Sequence, residues 1–99
     1  SADVYAMYLS LSIALARLDS RIESLRLTQQ GGWELDLKSG TKIALGSGTI
    51  DAVLARVKPF TQSISELLSR YDNSLLSVDL RYSNGYAVRL RGVTTGGNS

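Results

Sequence analysis

Hydrophobic and polar positions alternate with two different periods along the chain, and each change of period marks a predicted element. From Asp3 to Asp19 the apolar residues recur every three or four positions, which is the spacing of one face of a helix. This face comprises Val4, Tyr8, Leu11, Leu15 and Leu18. Asp3 is a favourable first residue because a carboxylate interacts well with a helix N-terminus. A short strand is predicted next over Ile22–Thr28, and Gln29-Gln30-Gly31-Gly32 ends it.

A β-hairpin is predicted around Lys38-Ser39-Gly40, because apolar and polar residues alternate with period two on both sides. A three-residue loop with Gly40 in the left-handed conformation keeps the apolar side chains on one face. The cross-strand pairs in this register are Leu37 with Thr41, Leu35 with Ile43, and Trp33 with Leu45. On the other face the same register places Asp36 opposite Lys42, a pair of opposite charge.

A second helix is predicted after Gly46-Ser47-Gly48, with Thr49 as its N-cap. Pro59 is expected to kink or split this helix, because proline has no N–H and its ring disturbs the preceding turn. Ser63 and Glu66 have the spacing of a capping box, which predicts a restart at Ser63. The apolar face comprises Ile50, Val53, Leu54 and Val57, then Ile64, Leu67, Leu68 and Tyr71, before an exit loop at Asp72-Asn73-Ser74.

A second hairpin is predicted on either side of Ser83-Asn84-Gly85. A two-residue Asn-Gly turn would place Leu80 opposite Arg89 and mix apolar with charged side chains. A three-residue loop with Gly85 in the left-handed conformation is therefore predicted. The resulting pairs are Tyr82 with Tyr86, Leu80 with Val88, Val78 with Leu90, and Asp79 with Arg89. In this register both tyrosines lie on the apolar side and the arginines face away from it.

The predicted order of elements is α-β-β-β-α-β-β, an α+β fold in which helices cover one face of an antiparallel sheet of about five strands. One domain is predicted over residues 1–91, followed by a flexible tail over 92–99 that is rich in Gly, Thr and Asn. Since nothing after Arg91 has the pattern of a strand, Tyr86–Arg91 is expected at the margin of the sheet. The unpaired backbone groups of such an edge strand can accept a strand from another protein.

Composition removes most catalytic chemistry from consideration. The 99 residues include no cysteine and no histidine, which excludes disulfides, thiolate ligands, imidazole ligands and catalytic triads that need either residue. No cofactor, metal or enzymatic activity is predicted. The net charge of +2, from 11 basic and 9 acidic residues, is too small for a dedicated DNA-binding surface.

Two alternative functions are compatible with the residues. Arg81, Arg89 and Arg91 next to two tyrosines could bind single-stranded nucleic acid by charge and stacking. A carboxylate hydrolase would require Glu34, Asp36 or Asp79 to lie in a pocket. Alternating strands usually place such carboxylates on a solvated face, which favours the binding functions over the hydrolase.

Three segments together resemble the C-terminal β domain of the FtsQ/DivIB bacterial cell-division family. They are the hairpin segment Trp33-Glu34-Leu35-Asp36-Leu37, the helix segment Leu54-Ala55-Arg56, and the stretch from Val78-Asp79-Leu80-Arg81-Tyr82 through Gly85 to Val88. The resemblance covers residues 3–91. It implies a non-enzymatic scaffold of the division machinery, in a parent protein with one inner-membrane helix, a POTRA domain and a periplasmic β domain at the septum.

The resemblance also implies partners and a binding site. The partners are FtsB and FtsL, and a strand of FtsB is expected to add to the last strand of the sheet. The implied partner-binding residues are Arg81, Tyr82, Asn84 and Gly85, with Ala87, Val88, Arg89 and Leu90 on the receiving strand.

Overall fold

The computed structural model describes residues 2–18, 20–70, 75–82 and 85–90. Two helices and five strands follow one another in the predicted order, which confirms the α+β fold. The elements are α1 (Ala2–Ala14), β1 (Ile22–Leu27), β2 (Gly32–Leu37), β3 (Lys42–Ser47), α2 (Ile50–Arg70), β4 (Leu75–Asp79) and β5 (Ala87–Leu90). The predicted exit loop at 72–74 and the predicted tail over 92–99 lie outside the described residues.

The strands form one sheet in the order β1-β2-β3-β4-β5, so β1 and β5 are its two edges. Neighbouring strands are antiparallel except for β3 and β4, which are parallel. The parallel pair was not predicted, and it follows from the long connection between these strands. A crossover of this length, containing α2, returns the chain to the same end of the sheet.

The core lies between one face of the sheet and the two helices. Alternate residues of the strands, among them Leu35, Ile43 and Val78, are buried against α1 and α2. Thr41 is buried as well, and its hydroxyl donates to the Leu75 carbonyl at 2.7 Å. The other strand residues, such as Glu34, face away from the helices. We refer to that surface as the open face.

The first helix ends at Ala14 rather than Asp19, and its buried row differs from the prediction. The N–H groups of Ala16 and Leu18 bond to carbonyls three residues earlier, so the chain tightens into turns and leaves the helix. Met7, Leu11 and Leu15 form the buried row, whereas Tyr8 is 39% exposed. The buried row contains Met7 rather than Tyr8, because Met7, Leu11 and Leu15 follow one another at intervals of four residues.

The second helix is not split at Pro59, and it does not restart at Ser63. Thr49 caps its N-terminus as predicted, accepting a hydrogen bond from the Ala52 N–H at 3.2 Å. The helix continues through the proline because Val57, Phe60 and Ile64 are all buried on the sheet side. This apolar burial offsets the one backbone hydrogen bond that the proline removes.

The first hairpin has the predicted turn but a bulge further along. Gly40 has a φ of 98°, and Leu35 pairs with Ile43 and Asp36 with Lys42, as predicted. Trp33, however, pairs with Gly46 rather than Leu45. The extra residue is accommodated because Gly46 adopts a φ of 85°, and Arg56 of α2 donates to the Leu45 carbonyl at 3.0 Å.

Candidate functional site at the last strand

The last strand lies at the margin of the sheet, as the sequence predicts. β5 pairs with β4 on one side, and in the part of the chain that the structure describes no strand pairs with its other side. In an edge strand, alternate N–H and C=O groups point away from the sheet. β5 therefore presents backbone donors and acceptors along an exposed edge four residues long.

The register of β4 and β5 differs from the prediction by two residues. Val78 pairs with Val88 rather than Leu90, and Asp79 pairs with Ala87 rather than Arg89. The predicted three-residue turn is therefore wrong. Strand pairing stops at Asp79 and Ala87, so the connection between β4 and β5 is longer than three residues. Gly85 has a positive φ of 149°, in the region that favours glycine. A shift of two residues keeps the same side chains on the core face.

Asp79 explains why β4 ends early. Its carboxylate accepts a hydrogen bond from the Arg81 backbone N–H at 3.0 Å, which closes a local turn. The same carboxylate accepts two hydrogen bonds from the Arg81 guanidinium, at 2.9 and 2.7 Å. Leu80 is buried and donates its N–H to the Ala44 carbonyl of β3 at 2.9 Å. These bonds turn the chain away from β5 before the predicted strand could continue.

The inward side chains near β5 hold the strand on the core. Leu90 is buried, and Val88 is half-buried opposite Val78. Tyr86, just before the strand, packs its ring edge-on against Phe60 with a centroid distance of 5.1 Å. Its hydroxyl also forms a hydrogen bond with the Ser63 hydroxyl. Ser63 in turn donates to the Pro59 carbonyl at 3.0 Å, which links the start of β5 to α2.

The outward side chains of β5, Ala87 and Arg89, are exposed on the open face. Tyr82 is 59% exposed and lies with them around a shallow depression in this face. The prediction that Tyr82 lies on the apolar side is therefore wrong, although Tyr86 does lie there. Since Asp79 turns the chain after β4, Tyr82 no longer follows the alternation of that strand.

Ion pairs organise the charged groups of the open face. Arg26 of β1 lies 3.2 Å from the Glu34 carboxylate and 3.1 Å from the Asp36 carboxylate. The hydrogen bond from Arg26 lowers the pKa of Asp36, and Lys42, at 3.7 Å, contributes through its charge. The hydrogen bonds from Arg81 likewise lower the pKa of Asp79. Asp36 and Asp79 are therefore ionised partners of arginines at neutral pH.

The hydrolase hypothesis does not agree with this geometry. It requires a carboxyl group in a pocket, where burial raises the pKa and favours proton donation. Asp36 and Asp79 instead have lowered pKa values on an open sheet face, and Glu34 is paired with Arg26 there. We therefore set the hydrolase hypothesis aside.

The nucleic-acid alternative has mixed geometry. Tyr82 and Arg89 do share the open face, which a stacking platform needs. Yet Arg81 is already bound by Asp79, and Glu34 adds negative charge beside the same depression. A phosphate backbone would meet carboxylates as well as arginines there, which weakens this alternative.

The structure groups most of the predicted site residues around one edge. Tyr82, Gly85, Ala87, Val88, Arg89 and Leu90 lie in or next to β5. Arg81 follows β4 with its side chain next to Gly46 of β3, and Asn84 and Arg91 lie outside the described residues. Sequence reasoning missed Phe60 and Ser63 as contacts of Tyr86, and Asp79 as the partner of Arg81. The two-residue spacing of Asp79 and Arg81 is a usable signal, because an aspartate often accepts a hydrogen bond from the N–H two residues later.

Within the described residues, neither helix is both long and apolar enough to cross a membrane.

Comparison with known proteins gives one consistent result. The sequence profile described as "Cell division protein FtsQ/DivIB, C-terminal" matches residues 1–81. The chain is 37% identical over 94 residues to "Cell division protein FtsQ" of Thiomonas arsenitoxydans, covering 94% of this chain and 35% of that protein. It is 36% identical over 87 residues to the protein of the same name from Allochromatium vinosum, covering 88% and 33%. The chain thus spans about a third of the length of these relatives.

Proposed function

The chain belongs to the FtsQ/DivIB family of cell division proteins, and from this membership we propose that it is a non-enzymatic interaction domain of a division scaffold. In this proposal the domain binds FtsB, together with FtsL, and an extended segment of FtsB adds to β5 as a further strand. The assembly then contributes to septum formation.

The exposed edge of β5 is the observation that carries this proposal. Backbone hydrogen bonds to an added strand supply affinity, and side chains that alternate along the edge supply specificity. β5 contains no proline and carries no charged side chain toward the core, whereas its shortness and the exposed Arg89 restrict pairing to a short, matching segment. Its contacts with α2 keep the edge in place while the outer backbone groups stay accessible.

The side chains around the edge suggest the chemistry of the incoming segment. Arg89 is exposed on the open face, and Ala87 leaves room beside it. Tyr82 extends this surface beside Ala87 and Arg89, and Arg81 lies further from the edge, next to Gly46 of β3. A partner strand with an acidic residue and an apolar residue on alternate positions would match them. Asn84 is part of the proposed site on the strength of the family motif.

For the full-length protein we propose a single inner-membrane helix and a POTRA domain, with the present domain on the periplasmic side of the membrane at the division septum. Family membership supports this arrangement, because the relatives share the name and are about three times as long as the matched segment. FtsB and FtsL would meet the domain in the same compartment.

Titration with an extended FtsB-derived peptide tests strand addition, using proline at two adjacent positions of β5. In an edge strand, one of two neighbouring N–H groups points to β4 and the other points outward. We expect one of Ala87→Pro and Val88→Pro to keep the fold and weaken peptide binding at least ~10-fold, because it removes an outward donor. The other should disturb the pairing of β4 and β5, seen as loss of their cross-strand NMR contacts.

Glu23→Pro on the opposite edge is the matched control, because it places the same residue in β1 and leaves β5 unchanged. Its affinity for the peptide should equal that of the unmodified domain. If both β5 variants stay folded and bind the peptide normally, backbone pairing at β5 is not the mode of recognition.

A further inference from the structure

The apolar pattern of β5 is compatible with more than one pairing against β4. Strand side chains repeat every two residues, so a slip of two positions leaves the same side chains on the core face. In the observed register Ser77 pairs with Arg89, and Asp79 pairs with Ala87. A slip of two residues toward the register that the sequence predicts would place Arg89 directly opposite Asp79. Contacts other than the apolar pattern therefore hold β5 in its observed position.

The slipped register would bring together two opposite charges that the observed register keeps apart. In an antiparallel pair of strands, oppositely charged side chains directly across from one another attract. In the observed register the Asp79 carboxylate is bound to Arg81 at 2.7 Å. Arg89 is exposed on the open face, and no carboxylate of the described residues forms an ion pair with it. The observed register thus leaves the positive charge of Arg89 available to another molecule.

Tyr86, the residue before β5, is held against α2 by two contacts. Its ring meets the buried ring of Phe60 edge-on, with a centroid distance of 5.1 Å. Its hydroxyl is hydrogen-bonded to the Ser63 hydroxyl. Ser63 donates its single hydroxyl proton to the Pro59 carbonyl at 3.0 Å, so the Tyr86 hydroxyl is the donor to Ser63. Since α2 is continuous through these residues, both contacts fix the position of Tyr86 along the sheet.

These two contacts are incompatible with the slipped register. Two residues of a strand span roughly 7 Å, so the slip would move the Tyr86 backbone by about that distance relative to α2. Neither an aromatic pair in edge contact nor a hydrogen bond survives such a displacement. The hydrogen bonds of Asp79 hold the β4 side of the register by ending that strand, and Tyr86 holds the β5 side.

We propose that Tyr86 is a positioning residue of the binding edge, which holds β5 in the register that keeps Arg89 free for an acidic residue of an added strand. This role rests on the proposed function, in which β5 receives a partner strand. The slipped register would draw Arg89 to Asp79 and remove its charge from the partner. Tyr86 acts from the side of the sheet that faces α2, away from the open face on which Arg89 lies.

Cross-strand NMR contacts of the free domain test the register without any partner. The unmodified domain should show one set of backbone contacts, in which Val78 lies opposite Val88. Tyr86→Ala removes both contacts with α2 and should add a second set, in which Asp79 lies opposite Arg89. A single, unshifted set of contacts in Tyr86→Ala would overturn the proposal.

Conservative substitutions separate the ring contact from a general loss of packing. Tyr86→Phe keeps the ring against Phe60 and should keep the observed register. Tyr86→Leu keeps an apolar side chain on the core face but loses the ring contact, so it should show the second set of contacts. Tyr86→Leu also decides the question if Tyr86→Ala does not fold. Tyr5→Ala is the matched control, because it removes an exposed tyrosine of α1, and it should leave the register unchanged.

Titration with the FtsB-derived peptide then tests whether the register matters for binding. Tyr86→Ala should weaken peptide binding about 3- to 10-fold, whereas Tyr86→Phe should stay within about 2-fold of the unmodified domain. Tyr5→Ala should bind normally. A slipped register that leaves the affinity unchanged would contradict the positioning role alone. Absence of peptide binding by the unmodified domain would contradict the proposed function, whereas the contacts in the free domain would still show whether Tyr86 holds the strand.

Discussion

At the residue scale, Arg26 and Arg81 are held by carboxylates of the same domain. Arg81 is bound by Asp79, and Arg26 lies between Glu34 and Asp36. Exposed pairs of this kind contribute little to stability, because water and salt screen the charges and both side chains lose freedom. Their main effect is to fix side-chain positions. Arg81 lies just after β4 in one defined orientation, with its side chain next to Gly46 of β3.

The lowered pKa values of Asp36 and Asp79 predict how stability depends on pH. In the unfolded chain these carboxyls bind protons at their ordinary pKa, whereas in the folded domain they bind them at a lower pH. The stabilisation is therefore fully present above the ordinary value and is lost as the pH falls through the folded pKa. Urea denaturation between about pH 2 and pH 6 should show stability declining on the acid side.

Arg26→Gln should bring the pKa of Asp36 back toward its ordinary value, because it removes the main hydrogen-bond donor to that carboxylate. Carboxyl-carbon NMR titration resolves this change, with Asp79 as the internal reference because its partner is unaltered. An unchanged titration of Asp36 would show that Arg26 does not hold it in solution.

At the element scale, the period and spacing of the apolar residues predict which helices and strands form. They do not predict where each element ends or how the strands pair. The alternation of Leu35 with its neighbours, together with Gly40, fixes the first turn. The same alternation cannot fix the pairing of β4 with β5, because a shift of two residues leaves the apolar face intact. The hydrogen bonds of Asp79 decide that register. The order of the strands in the sheet, including the parallel pair of β3 and β4, depends on the path of α2. Local sequence patterns do not predict that path.

At Pro59, the packing of the helix on the core outweighs the tendency of proline to break a helix. The buried side chains on either side of it, Val57 and Phe60, keep α2 continuous at the cost of a backbone hydrogen bond. Pro59→Ala should raise the free energy of unfolding by about 1–3 kcal/mol, because it restores the missing N–H and removes the ring. Denaturant unfolding measures this gain.

Gln62→Ala is the control for this helix position, since it changes an exposed residue and should alter stability by only a few tenths of a kcal/mol. A loss of stability in Pro59→Ala would show that the helix depends on the proline. An unchanged free energy of unfolding would show that the proline has no net destabilising effect on the helix.

At the scale of the whole molecule, β5 and α1 lie on opposite sides of the domain. β5 forms one edge of the sheet, and α1 packs beside β1 at the other. Three sequence segments, including the one around Arg81 and Tyr82, indicate the family, whereas the exposure of Tyr8 on α1 follows from the packing of Met7 in the core.

Hydrogen exchange and cross-strand NMR contacts, measured on the domain with the FtsB-derived peptide bound, test the central claim most directly. Strand addition predicts that the outward-pointing amides of β5 become protected from exchange and that β5 shows backbone contacts to the peptide, while β1 is unaffected. Peptide binding that leaves the exchange of every β5 amide unchanged would contradict the account.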